Sequence, residues 1–170
     1  AEFKITDISR AFFATGNASI AKVHLERAGL FDESFVEYGW EDLELGIRLR
    51  KLGLRAVKVP GAEGYHYKKR LTAEDVPSWC RRERERGHTA VIFYRKVPTF
   101  KVRMMTMITP VAFLIDRALT AGGWTDHPKL PEWLKSLEAR GKHNLLRFVT
   151  RIVTLHAYFE GLREGLRSNP

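Results

Sequence analysis

The chain has 170 residues, 44% of them hydrophobic, which is enough for one ordinary domain or two small ones with a real core. Its formal charge of +9 is lopsided: residues 1–60 hold nine Lys/Arg and nine Asp/Glu, whereas residues 61–170 hold twenty and eleven, so the whole excess lies in the later part. The single cysteine, Cys80, excludes an internal disulfide and a Cys-based metal site, and a reducing compartment is the natural expectation.

In chain order, Arg10 to Thr15 reads as a buried strand that enters a turn at Gly16-Asn17. A helix should follow, capped by Ser19, with Ile20, Val23 and Leu25 on its apolar face and Gly29 at its end. Leu30 to Trp40 lacks a regular period, is rich in aromatic and acidic residues, and reads as an ordered loop. From Glu41 the helical period returns, with Leu45, Leu49 and Leu52 on one face and Gly53 as the stop. Leu54 to Val59 reads as the next strand, closed by Pro60-Gly61, and Ala62 to Tyr67 as a short extended piece carrying His66. After Arg70 the composition is helical up to Ser168, and Pro98, Gly122-Gly123, Pro128, Pro131 and Gly141 divide it into four expected helices. The expected organisation is α/β over residues 1–70, with two or three strands and two helices, and a basic α-helical extension over residues 71–170 that packs back on it.

Residues Met104 to Leu119 form the most apolar stretch, but Thr106, Thr109, Pro110, Asp116 and Arg117 interrupt it, and it falls short of the roughly 20 residues that span a bilayer. It fits a buried core helix or an interfacial one lying on a membrane. Trp124, Trp133, Lys129 and Lys135 suit an anionic membrane surface and a subunit interface equally well. Lys68-Lys69-Arg70 is either a solvated charge run or a phosphate-binding cluster, and Arg81 to Arg86 mixes signs in the manner of an exposed helix face. No RNA-recognition aromatic signature, zinc pattern or helix-turn-helix accompanies the charge, which argues against nucleic acid as a partner. No signal peptide is visible, so the expected location is cytoplasmic, with peripheral contact at the inner face of the membrane as an extension of it.

The informative chemistry is the pair Glu41-Asp42, set at a helix start directly after Gly39-Trp40. Helix N-termini favour anions, so both should stay ionised, and an ionised carboxylate beside an aromatic wall can take the proton of an attacking sugar hydroxyl. The structural alternative is that acidic residues occupy first turns because they complement the helix dipole. Gly16-Asn17 likewise fits a turn or a contact with a bound sugar, and Arg48 fits an ordinary surface ion pair with Glu44, four residues earlier.

Residues 10–68 resemble the GT-A fold glycosyltransferases, especially the family 2 enzymes and the related galactosyltransferase C-terminal region. The resemblance rests on Gly16-Asn17, the Gly29 to Phe35 run, the Gly39-Trp40-Glu41-Asp42-Leu43-Glu44-Leu45-Gly46 helix start with Arg48-Leu49, and the downstream His66, in the family's order. It implies Asp42 as catalytic base of an inverting transfer, with Glu41, Trp40, Gly39 and Asn17 around the acceptor and His66 as a ligand of Mn2+ or Mg2+. Lys68, Lys69 and Arg70 would then hold the leaving diphosphate. It implies a nucleotide-sugar donor and a saccharide or lipid-linked acceptor. No Asp-x-Asp element is present and there is no room before Arg10 for the nucleotide-binding half, so the expected fold is a partial GT-A domain, inactive alone. The alternative from another class is a non-catalytic module that binds an anionic surface or assembles with further copies.

Overall fold

The computed structural model describes residues 13, 15–65, 67 and 70–168, and every regular element among them is a helix. The chain divides into two units, Ala1–Tyr67 and Lys68–Pro170.

The first unit carries a 3-10 turn at Thr15–Asn17, α1 (Lys22–Ala28) and α2 (Glu41–Lys51). Gly29 ends α1 in the left-handed region at φ 84°, its N–H bonding to Glu26 O at 3.0 Å while Leu30 N–H reaches back to Leu25 O at 2.9 Å. At the other end the residue flanking α1 is Ala21, without a side-chain bond, so Ser19 is not the cap. In α2 the apolar spacing works as expected for Leu45 and Leu49, which are 0% and 5% exposed, whereas Leu52 sits past the helix end and is exposed.

The α/β expectation is corrected here, and the partial GT-A fold with it, because no strand forms among the described residues. A strand needs a neighbour to take up its N–H and C=O groups. Leu54 to Val59 has none among the described residues; its valines stand in solvent, Val57 at 82% and Val59 at 62% exposure. Ala62 to Tyr65 is likewise irregular. The expected strand at Arg10 to Thr15 lies outside the described residues except for Phe13, which is irregular, and Thr15, which opens the 3-10 turn.

The second unit contains α3 (Val76–Lys96), α4 (Phe100–Met105), α5 (Pro110–Leu119), α6 (Leu130–Ala139) and α7 (His143–Arg167), five helices where four were expected. The additional break has a local cause: Thr99 caps α4 by accepting from Val102 N–H at 3.2 Å, and Thr109 caps α5 by accepting from Ala112 N–H at 3.3 Å, just ahead of Pro110. The two long helices, α3 and α7, pack backbone against backbone. A Cβ placed on Gly161 would lie 1.9 Å from Arg84 O, and one on Gly87 would lie 2.0 Å from Tyr158 O.

Around that crossing Val91, Phe93, Tyr158, Phe159 and Leu162 are at most 2% exposed. Tyr158 donates its hydroxyl proton to Thr106 O at 2.9 Å, and the Arg86 guanidinium lies 5.0 Å over its ring. A second cluster, with Val76, Leu134, Leu137, Leu146 and Val149, joins α6 to the other ends of α3 and α7.

Because the atoms facing Gly161 are backbone and cannot rotate away, Gly161→Ala should lower stability by about 3 kcal/mol or more. Gly61→Ala, with open space around it, should leave the urea midpoint almost unchanged. Equal midpoints for the two variants would contradict the close crossing.

Candidate functional site

The start of α2 is built by two reversals of backbone direction. Gly39 and Trp40 have φ of 108° and 72°, and Gly29 and Leu30 have φ of 84° and 59°, so the loop over residues 31–39 is bounded at each end by a glycine and a bulky residue in the left-handed region. Each bulky residue held there costs about 1–3 kcal/mol, a strain that persists only where the surroundings impose it. Within the loop Asp32 accepts from Ser34 N–H at 3.0 Å through its side chain and from Phe35 N–H at 3.2 Å through its carbonyl.

Arg48 imposes part of that geometry. Its Nε lies 2.9 Å from both carboxylate oxygens of Glu44, and the rest of the guanidinium donates to the carbonyls of Ala28 and Leu30, the latter at 2.7 Å. Glu44 is 5% exposed. The pair foreseen on a solvated surface is therefore a partly buried clamp that satisfies the free carbonyls at the end of α1 and holds Leu30 in its strained turn. The i, i+4 spacing announces the pair; nothing in the spacing announces the two distant carbonyls.

Gly39 is buried, and Trp40, Glu41 and Asp42 are partly buried. Asp42 accepts hydrogen bonds from backbone N–H groups at residues 42 and 43, which lower its pKa, but burial and then the charge of Glu41 outweigh them and the net shift is upward. Desolvation thus outweighs the backbone donors of the helix start in setting the direction of the shift. Glu41 Oε2 is shielded from solvent and has no hydrogen-bond partner. The two adjacent carboxyl groups consequently differ: one is held by backbone donors, the other offers an unfilled acceptor.

Asn17 donates from its side-chain amide to Ala62 O at 3.0 Å, tying the Thr15–Asn17 turn to the segment leading to Tyr65. His66, Lys68 and Lys69 lie outside the described residues. Arg70, in the second unit, has its guanidinium 2.6 Å from His143 Nε2. Among the described residues no three His, Cys, Asp or Glu side chains converge, so these residues alone do not make a site for Mn2+ or Mg2+.

Burial, then Glu160 and Glu83, push the Cys80 thiol up to about 11, which leaves it protonated and a poor nucleophile. A shallow recess of about 420 Å³ in the second unit is lined by Trp124, His127, Lys129, Leu130 and Trp133, an apolar surface with no paired acid and base.

Segments of the chain are similar to known glycosyltransferases. Over 43 residues, a quarter of this chain and 11% of the relative, it is 54% identical to the uncharacterized glycosyltransferase YfnE of Bacillus subtilis. It is 40% identical to a hyaluronan synthase of Pasteurella multocida over 63 residues, covering 37% of this chain and 6% of the relative. It is 46% identical to a chondroitin synthase of Escherichia coli over 70 residues, covering 38% and 10%. The matched stretches thus span about a tenth or less of these curated relatives. No family model and no solved structure matches the chain.

Removing the Arg48 side chain would strand the buried Glu44 carboxylate, so Arg48→Ala should cost about 3 kcal/mol by urea unfolding, and Arg48→Lys, which lacks the planar fork, should recover only part of it. For Asp42 the sign runs the other way. Its folded pKa lies above the unfolded value of 3.8, so the folded state loses stability as pH rises from that value through the folded pKa. Asp42→Asn should therefore be more stable than the parent at neutral pH, and the difference should vanish on acidification below pH 3.8.

Proposed function

We propose that residues 13–67 form an acceptor-handling segment of a family 2-like glycosyltransferase and that Asp42 is its base. The observation carrying this reading is the state of that carboxyl group: it remains partly open to solvent, follows a strained Gly39-Trp40 turn, and has its pKa raised by burial and by Glu41. A carboxylate so shifted is a stronger base than a free one while still accessible to a ligand. The similarity of short segments to three glycosyltransferases supports the same reaction class.

In this reading the acceptor hydroxyl gives its proton to Asp42 as its oxygen forms a bond to the anomeric carbon of a nucleotide-sugar. The bond from that carbon to the diphosphate breaks on the opposite face, the electron pair leaves with the diphosphate, and the configuration inverts. Glu41, with its unfilled acceptor, would receive a neighbouring hydroxyl, and Trp40 would face the apolar side of the sugar ring. The named products of two relatives, hyaluronan and chondroitin, make a growing polysaccharide the acceptor class we favour.

In a transfer-competent protein containing this segment, Asp42→Asn should lower kcat by about 10²–10⁴-fold. The same variant should fold at least as well as the parent at neutral pH, so a loss of transfer would not reflect a loss of structure. Transfer at the parental rate would remove Asp42 from the chemistry.

A further inference from the structure

Helix α5 is folded with its polarity inverted. Its only buried residue is Asp116, 1% exposed, while Val111, Leu114, Ile115 and Leu119 are 66%, 66%, 52% and 40% exposed. Those four recur at the spacing of a single helix face. Two polar contacts and one aromatic contact hold the helix this way round: Asp116 Oδ1 lies 3.0 Å from His156 Nδ1, Asp116 Oδ2 lies 2.5 Å from the Arg163 guanidinium, and Phe113 packs edge-on to Phe159 at 5.2 Å. Rolling the helix to bury its apolar face would break all three, so the exposure is built in.

The segment of chain that carries this face is almost wholly of one charge sign. Between Glu85 and Asp126 the only carboxylate is Asp116, buried and paired, whereas the same stretch carries Arg86, Arg95, Lys96, Lys101, Arg103 and Arg117. The last five of these are exposed. On α4, Phe100 and Met104 are exposed as well, at 78% and 52%. No described helix is long and apolar enough to cross a membrane. A second copy would bring the same excess of positive charge to the contact and oppose it, whereas an anionic surface complements that excess.

We propose that the outer face of α5 docks on an anionic lipid surface, the helix lying in the plane of the headgroups with Leu114 and Ile115 inserted and Lys101, Arg103 and Arg117 meeting lipid phosphates. This inference does not depend on the transfer reaction and stands or falls separately from it.

The test is flotation of the whole chain with vesicles of phosphatidylcholine alone and of equimolar phosphatidylcholine and phosphatidylglycerol, at about 0.15 M salt. Binding to the anionic vesicles should exceed binding to the neutral ones by about a hundredfold. Leu114→Ser with Ile115→Ser should reduce it by about thirtyfold, with the helical circular dichroism unchanged because both side chains are exposed. Lys101→Gln with Arg117→Gln, which touches no apolar residue, should reduce it by about tenfold, and Val57→Ser in the first unit should not change it. Failure to float, equal binding to both vesicle types, or parental binding by the double serine variant would overturn the proposal. A concentration-dependent dimer abolished by the double serine variant, without flotation, would assign the face to a second copy instead.

Discussion

The second unit depends on one steric fact, that α3 and α7 approach until the carbonyl of Arg84 stands where a side chain at Gly161 would begin. Gly87 makes the reciprocal approach to Tyr158 O, and Gly165, one turn beyond Gly161, leaves room for His88 and Val91. Helices this close bury their flanking residues without needing large ones, which is why Ala90 and Ala157 belong to the core beside Phe93 and Phe159. The other helices are then hung on α7. Tyr158 fixes the end of α4 through Thr106 O, His156 and Arg163 fix α5 through Asp116, and Leu146, Val149 and Val153 receive α6.

The first unit has too little buried surface for the same logic and is held by polar contacts instead. Leu45 and Leu49 are its buried leucines among the described residues, while Val23, Val36, Val57 and Val59 stand more than half exposed. Order there comes from Arg48, whose five-donor guanidinium joins a buried carboxylate on its own helix to the carbonyls of Ala28, at the end of α1, and of Leu30 just beyond it. The clamp supports the strained Leu30, at one end of a loop whose other end is the second strained turn, at Trp40. A carboxylate raised in pKa is thus seated on a segment whose backbone is itself held away from its minimum. Stability alone favours neither feature; both suit a site that must bind something.

What could be read from the residues divides along local and non-local lines. Gly29 as a helix stop, Glu41 as a helix start and the burial of Leu45 and Leu49 follow from patterns within one or two turns, and the structure contains them. The strand at Leu54 to Val59 was legible only as a propensity, and propensity cannot supply a ladder partner. Arg48 was legible as half of an ion pair, because Glu44 lies one turn away, and illegible as a clamp, because Ala28 and Leu30 lie eighteen to twenty residues away. The caps at Thr99 and Thr109 carried a signal, a threonine before a helical run, that the apolar run of methionines around Met104 obscured. The glycines of the α3–α7 crossing, Gly87 and Gly161, carry no sign in the sequence of the helix that they meet.

The same distinction bears most heavily on α5. Its pattern of Val111, Leu114, Ile115 and Leu119 would, by hydropathy, face a core, and the one carboxylate would face water. The structure reverses both: Asp116 finds His156 and Arg163 across the interface, whereas the stripe of Val111, Leu114, Ile115 and Leu119 stays exposed. A buried ion pair of this kind contributes little net stability, since desolvation offsets much of the attraction, and well-packed apolar side chains would serve stability as well. What the pair does supply is rotation: it fixes which side of the helix faces out. A helix whose orientation is set by a costly polar contact, and whose apolar side is thereby kept in solvent within a stretch of cations, is organised for what lies outside the unit.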